Sequence, residues 1–152
     1  MFENILVCLD GSYLSEAILP SVIALAEHFH SKIVLLNVIV VPSVLAGLGK
    51  TEIEPGESAR LTESEEKAYD YLDDIAETWR EKGLNVECAT VEGTIEESIT
   101  TYAKAYEIDL IALTTHDRGA LSRLIVKSTT DFVLRKSGIP VLVICPDNRL
   151  QS

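Results

Sequence analysis

The chain has 152 residues, of which 47% are hydrophobic and 24% charged, and its net charge is −11. A chain of that length buries a core without help from disulfides or metal. The acidic balance argues against a general nucleic-acid binder and against docking on anionic lipid, because both need a basic face.

Met1-Phe2-Glu3-Asn4 offers no basic export region, and the least charged stretch, Ile33–Gly49, is interrupted by Asn37 and Pro42. That stretch is also short for a bilayer span of about 20 residues. Cys8, Cys88 and Cys145 each sit in a β-like run, in no Cys-x-x-Cys pair and away from histidine at ligand spacing. The expectation is a reduced, cytoplasmic protein that neither crosses a membrane nor binds nucleic acid.

In chain order, Asn4–Leu9 reads as a buried strand closed by the turn Asp10-Gly11-Ser12. Leu14, Ala17, Ile18, Val22, Leu25, Ala26 and Phe29 recur at helical spacing, with Pro20 expected to bend that helix or remove a hydrogen bond from it. Lys32–Val40 is a second strand, and Pro42–Glu57 a long loop of unassigned role. Ser58–Lys82 is predicted helical, with Ala68, Leu72, Ile75 and Trp79 as its apolar stripe and Gly83 as its stop. Asn85–Val91 is a third strand, Ile95–Tyr106 a helix, Asp109–Thr115 a fourth strand, Ser128–Lys136 a helix and Pro140–Cys145 the last strand. This β-α-β-α-β-α-β-α-β alternation predicts a single α/β domain over residues 1–152, an open parallel sheet with helices on both faces.

Ligands of such sheets bind outside the carboxyl ends of the strands. The candidate positions are Asp10-Gly11-Ser12, the chain from Val38, Thr114-Thr115-His116-Asp117, and the start of the last helix, where Ser128 is the expected N-cap and Asp131 its capping-box partner. Gly47-Leu48-Gly49-Lys50-Thr51 imitates the tail of a P-loop, but Val44 stands where the first glycine belongs. Asp10, Ser12 and His116 do not compose a nucleophile–base–orienter set from sequence, and Cys8 stands where a phosphatase loop needs its aspartate. His28 and His30 fall at the end of the first helix, where a surface role outweighs metal binding. No catalytic and no metal residue is assigned.

The segment Thr114-Thr115-His116-Asp117-Arg118-Gly119 through Lys127-Ser128 resembles the long loop after the fourth strand of the universal stress protein family. Phe132–Lys136, Ile139–Ile144, and the opening Ile5–Leu9 with Asp10-Gly11-Ser12 and Ser15 are similar to the same family's end and start. The resemblance covers essentially the whole chain. It implies a Rossmann-like five-stranded sheet of order 3-2-1-4-5 and a homodimer formed through the last strand, Val141–Ile144.

ATP-binding members carry Gly-x2-Gly-x9-Gly-[Ser/Thr] in that loop. Here the three glycine positions hold Thr114, Asp117 and Lys127, and only Ser128 matches. Asp117 sets a carboxylate where a triphosphate would lie, while Lys127 offers a cation that is expected to pair with Asp117 instead. The positions that meet base and ribose in binding members correspond to Leu9, Asp10 and Val38. The resemblance therefore implies a non-catalytic, stress-responsive regulatory or protective module that works by protein contact, with a degenerate ATP site and no cofactor. Its rival is an adenine-nucleotide sensor taking ATP or AMP, with slow hydrolysis at most. A phosphatase-like hydrolase is a third reading with little behind it, since no nucleophile is evident.

Overall fold

The computed structural model describes residues 1–41, 55–115 and 129–146. Five parallel strands form one sheet: β1 (Asn4–Cys8), β2 (Lys32–Val40), β3 (Asn85–Gly93), β4 (Leu110–Thr114) and β5 (Val141–Ile144). Their order is β3-β2-β1-β4-β5, so β1 lies at the centre and the order reverses between β1 and β4. The helices are α1 (Leu19–Phe29), α2 (Pro55–Glu81), α3 (Ile95–Ala105) and α4 (Thr129–Lys136), with a short 3₁₀ turn at Ser15–Ile18 leading into α1.

Alternation along each strand divides the core into two layers, because successive side chains point to opposite faces. Ile5 and Val7 of β1 join Ile33 and Leu35 of β2 and Ala112 of β4 under α1 and α2, which supply Val22, Ala26, Leu72, Ala76 and Trp79. Leu6, Val34, Leu36, Ile111 and Leu113 face the other way, onto Ile99 and Ala103 of α3 and Val133 of α4. The Asp109 carboxylate clamps the start of β1, accepting from the Glu3 N–H at 2.8 Å and the Asn4 N–H at 3.0 Å.

Apart from shifts of one residue at other ends, three boundaries differ from the sequence reading. The segment before Phe29 is a 3₁₀ turn followed by α1, and Pro20 falls in the first turn of α1. There its missing N–H has no intrahelical partner to lose, so it starts a helix where a bend was expected. Helix α2 begins at Pro55, three residues ahead of the predicted Ser58, which shortens the predicted loop; proline suits a first helical position. Strand β3 runs two residues past Val91 to Gly93, whose φ is +144° and whose absent Cβ would lie 2.8 Å from the Ser98 Oγ of α3. The positive φ favours glycine there, and any other residue would also push the Ser98 hydroxyl aside.

Candidate functional site

The carboxyl ends of β1, β2 and β4 open onto a cleft of about 180 Å³. Among the described residues its floor is apolar, formed by Cys8, Leu9, Leu36, Val38 and Leu113, and α3 closes it with Ile95 and Ile99. Asp10, Ser15, Thr114 and Thr129 give it a polar rim. Leu9, Asp10, Val38 and Thr114, singled out from sequence on different strands, thus share one cavity. Asp117, Lys127 and Ser128, with His116 and the Gly47–Thr51 segment, lie outside the described residues.

The loop after β1 is held by its own side chains. The Ser12 N–H donates to Asp10 Oδ1 at 2.8 Å, an Asx turn, and Gly11 sits in its middle at φ +84°. The Ser15 N–H donates to Ser12 Oγ at 3.2 Å, and the Ser15 hydroxyl donates to the Ser12 carbonyl at 2.8 Å. Thr114 on β4 donates its hydroxyl to the Ser15 carbonyl at 3.1 Å, tying the two sides of the switch point together. Asn37, which sequence reading treats only as a break in an apolar run, donates to the Leu9 carbonyl at 2.8 Å and satisfies an acceptor at the strand end.

A second contact escapes the sequence altogether. Thr129, the first residue of α4, donates its hydroxyl to Glu96 Oε1 of α3 at 3.1 Å. The two positions are 33 apart, and only the packing of α3 beside α4 brings them together. A carboxylate therefore stands at the positive end of the α4 dipole, beside the cleft.

Chemical capacity at the cleft is modest. Cys8 is half-buried, and desolvation pushes its thiol up to about 12, so it stays protonated near neutral pH and is a poor nucleophile. One oxygen of Asp10 is engaged in its own turn. Among the described residues no group of three or more His, Cys, Asp or Glu is placed to hold a metal ion. His28 lies exposed in the last turn of α1, and His30 caps that helix in the left-handed region at φ +56°. An apolar floor with a hydroxyl and carboxylate rim can hold a small flat group and hydrogen-bond its edge.

Comparison with known proteins decides the lineage. The profile of the Universal stress protein family matches residues 1–144. The chain belongs to that family. Universal stress protein MJ0577 of Methanocaldococcus jannaschii is 27% identical, with 95% of each chain covered. Its solved structure superposes with a TM-score of 0.78 over 97% of this chain and 99% of that one. Universal stress protein YxiE of Bacillus subtilis is 26% identical over 95% of this chain and 99% of its own. A universal stress protein of Arabidopsis thaliana, solved with AMP bound, shares the fold at a TM-score of 0.69 and 15% identity, covering 98% of this chain and 95% of that one. Among the described residues no helix is long and apolar enough to cross a membrane.

Proposed function

We propose that this universal stress protein is a cytoplasmic regulatory or protective module without turnover chemistry, acting through protein contacts, whose strand-end cleft has given up tight ATP binding. The observation that carries the reading is the Glu96 carboxylate hydrogen-bonded to Thr129 at the start of α4. A phosphate approaching that helix end meets a like charge beside it. The sequence between β4 and α4 agrees, with Thr114, Asp117 and Lys127 in place of the three glycines of ATP-binding members. The high thiol pKa of Cys8 supports a cleft that binds and does not react.

A specific observation keeps the adenine-nucleotide sensor as the second reading. Leu9, Asp10, Val38 and Thr114 converge on one cavity, and the Arabidopsis relative of the same fold holds AMP. Calorimetric titration with Mg-ATP, AMP and adenosine to millimolar ligand separates the two. Heat from adenosine alone, or from none of them, fits the proposal; AMP heat without ATP heat favours the sensor, and micromolar ATP binding overturns the proposal.

The proposal includes a homodimer through the outer edge of β5. Its support is that Val141–Ile144 is wholly apolar yet only half-buried at the sheet margin. Sedimentation should show a dimer at micromolar concentration, and a monomer throughout would refute that seam.

A further inference from the structure

The sheet has a second margin, β3, which pairs with β2 alone. The guanidinium of Arg80 on α2 donates from Nε to the Val86 carbonyl at 3.0 Å, so that carbonyl points away from β2. The register then runs unbroken from Lys32↔Asn85 to Val40↔Gly93. With a period of two, the N–H and C=O groups of Cys88, Thr90 and Glu92 share the outward direction of Val86. Arg80 satisfies the first of these outward positions, and among the described residues the next three carry an open ladder.

This open ladder forms the floor of a groove of about 810 Å³. Glu65 and Tyr69 of α2 make one wall, Glu97 and Tyr102 of α3 with Tyr106 just past its end the other, and Glu92 lies on the floor. Tyr102 and Tyr106 stack at 4.2 Å, and Tyr106 and Tyr69 remain 61% and 43% exposed. Thr90 donates its hydroxyl to Glu65 Oε1 at 3.2 Å and holds that carboxylate over the strand. The described lining residues include three glutamates and neither lysine nor arginine.

We infer that this margin is a docking strand for an extended, lysine- or arginine-bearing segment of a partner protein, which adds to the sheet beside β3. The backbone of Cys88, Thr90 and Glu92 supplies the pairing. The tyrosine faces take the aliphatic stems and cationic heads of alternate side chains, and the glutamates neutralise them. A second copy of this chain does not suit the groove, since it would set the same glutamates against each other in a protein of net charge −11. The inference concerns a surface separate from the strand-end cleft and holds whether or not that cleft takes a nucleotide.

The test uses the full chain and a short fluorescent peptide alternating lysine and valine, followed by polarisation. Binding is expected with a Kd on the order of 10 μM that weakens with salt. A peptide alternating lysine and proline has the same charge but cannot pair as a strand, and it should bind at least about tenfold more weakly. The triple variant Glu65→Gln, Glu92→Gln, Glu97→Gln should lose about tenfold in affinity for the lysine–valine peptide. Thr90→Pro, which removes an outward N–H and leaves the β2 ladder whole, should abolish binding; if it does not fold, the two peptides and the glutamine variant decide. Equal binding of both peptides, or an unchanged affinity in the triple variant, would sink the inference. So would self-association that the triple variant abolishes, because the margin would then belong to a second copy.

Discussion

At the scale of single residues, the Glu96–Thr129 contact makes a direct prediction. Glu96→Gln keeps a hydrogen-bond acceptor for Thr129 but removes the charge. Affinity for AMP should rise about tenfold, or about 1.4 kcal/mol, while affinity for uncharged adenosine stays level; calorimetry on the two proteins checks it. Protonation gives a second prediction. Burial raises the Cys8 thiol to about 12. Burial first and the charge of Glu16 second raise the Tyr71 hydroxyl to about 12 as well. That hydroxyl is buried, with Ser15 and Glu16 near enough to influence it but outside hydrogen-bonding geometry. Both groups are acids whose neutral form the fold favours. Their contribution to stability is complete below their ordinary values of 9.0 and 10.0 and is lost as pH climbs toward about 12. Urea midpoints should hold steady up to pH 9 and then decline, and Cys8→Ala together with Tyr71→Phe should flatten that decline. A decline of the same size in the double variant would rule these groups out.

At the scale of elements, α2 is attached through few residues. Leu72 and Ala76 are fully buried on the sheet and Trp79 nearly so, while the opposite face is charged. Leu72→Ala should destabilise the protein by about 3 kcal/mol with an unchanged urea m-value. Leu134→Ala on α4, at a half-exposed position, should stay within about 0.5 kcal/mol. Periodicity picked out Leu72 and Trp79 with Ala68 and Ile75, which are only partly buried, and passed over Ala76; all five strands were readable, because both signals are local. What sequence could not supply was set by contacts distant along the chain. Pro20 looked like an interior flaw because nothing local announces that Ser15–Ile18 winds as a 3₁₀ turn. Strand β3 reaches Gly93 because Val40 of β2 is there to pair with it, and the φ of +144° at that end favours glycine. The cleft was legible in outline, since strand ends at a switch point are dictated by topology. Its detail was not. Asn37 owes its role to the Leu9 carbonyl, 28 residues back in the chain, and Glu96 to Thr129, 33 residues ahead.

At the scale of the whole molecule, charge is the dominant feature. Ion pairs such as Lys32–Glu87 at 2.8 Å and Arg80–Asp73 at 2.8 Å are too solvated to offset a net charge of −11. Raising sodium chloride from about 0.01 to about 0.2 M should therefore screen self-repulsion and lift the melting temperature by about 2–4 °C, measured by circular dichroism. A melting temperature that falls with salt would show that attractive pairs prevail instead. The place of β1 has a consequence of another kind. It precedes the other strands of its sheet along the chain, and β2 can pair with it early, but its other neighbour is β4. The Asp109 clamp on Glu3 and Asn4 joins positions 106 and 105 apart. Until Leu110–Thr114 is made, the central strand of the sheet thus keeps one side unpaired, and the two-layered core stays open. A growing chain of this topology is exposed to misassociation while the residues between β1 and β4 are made, and a chaperone that shields β1 would be acting where the fold itself cannot.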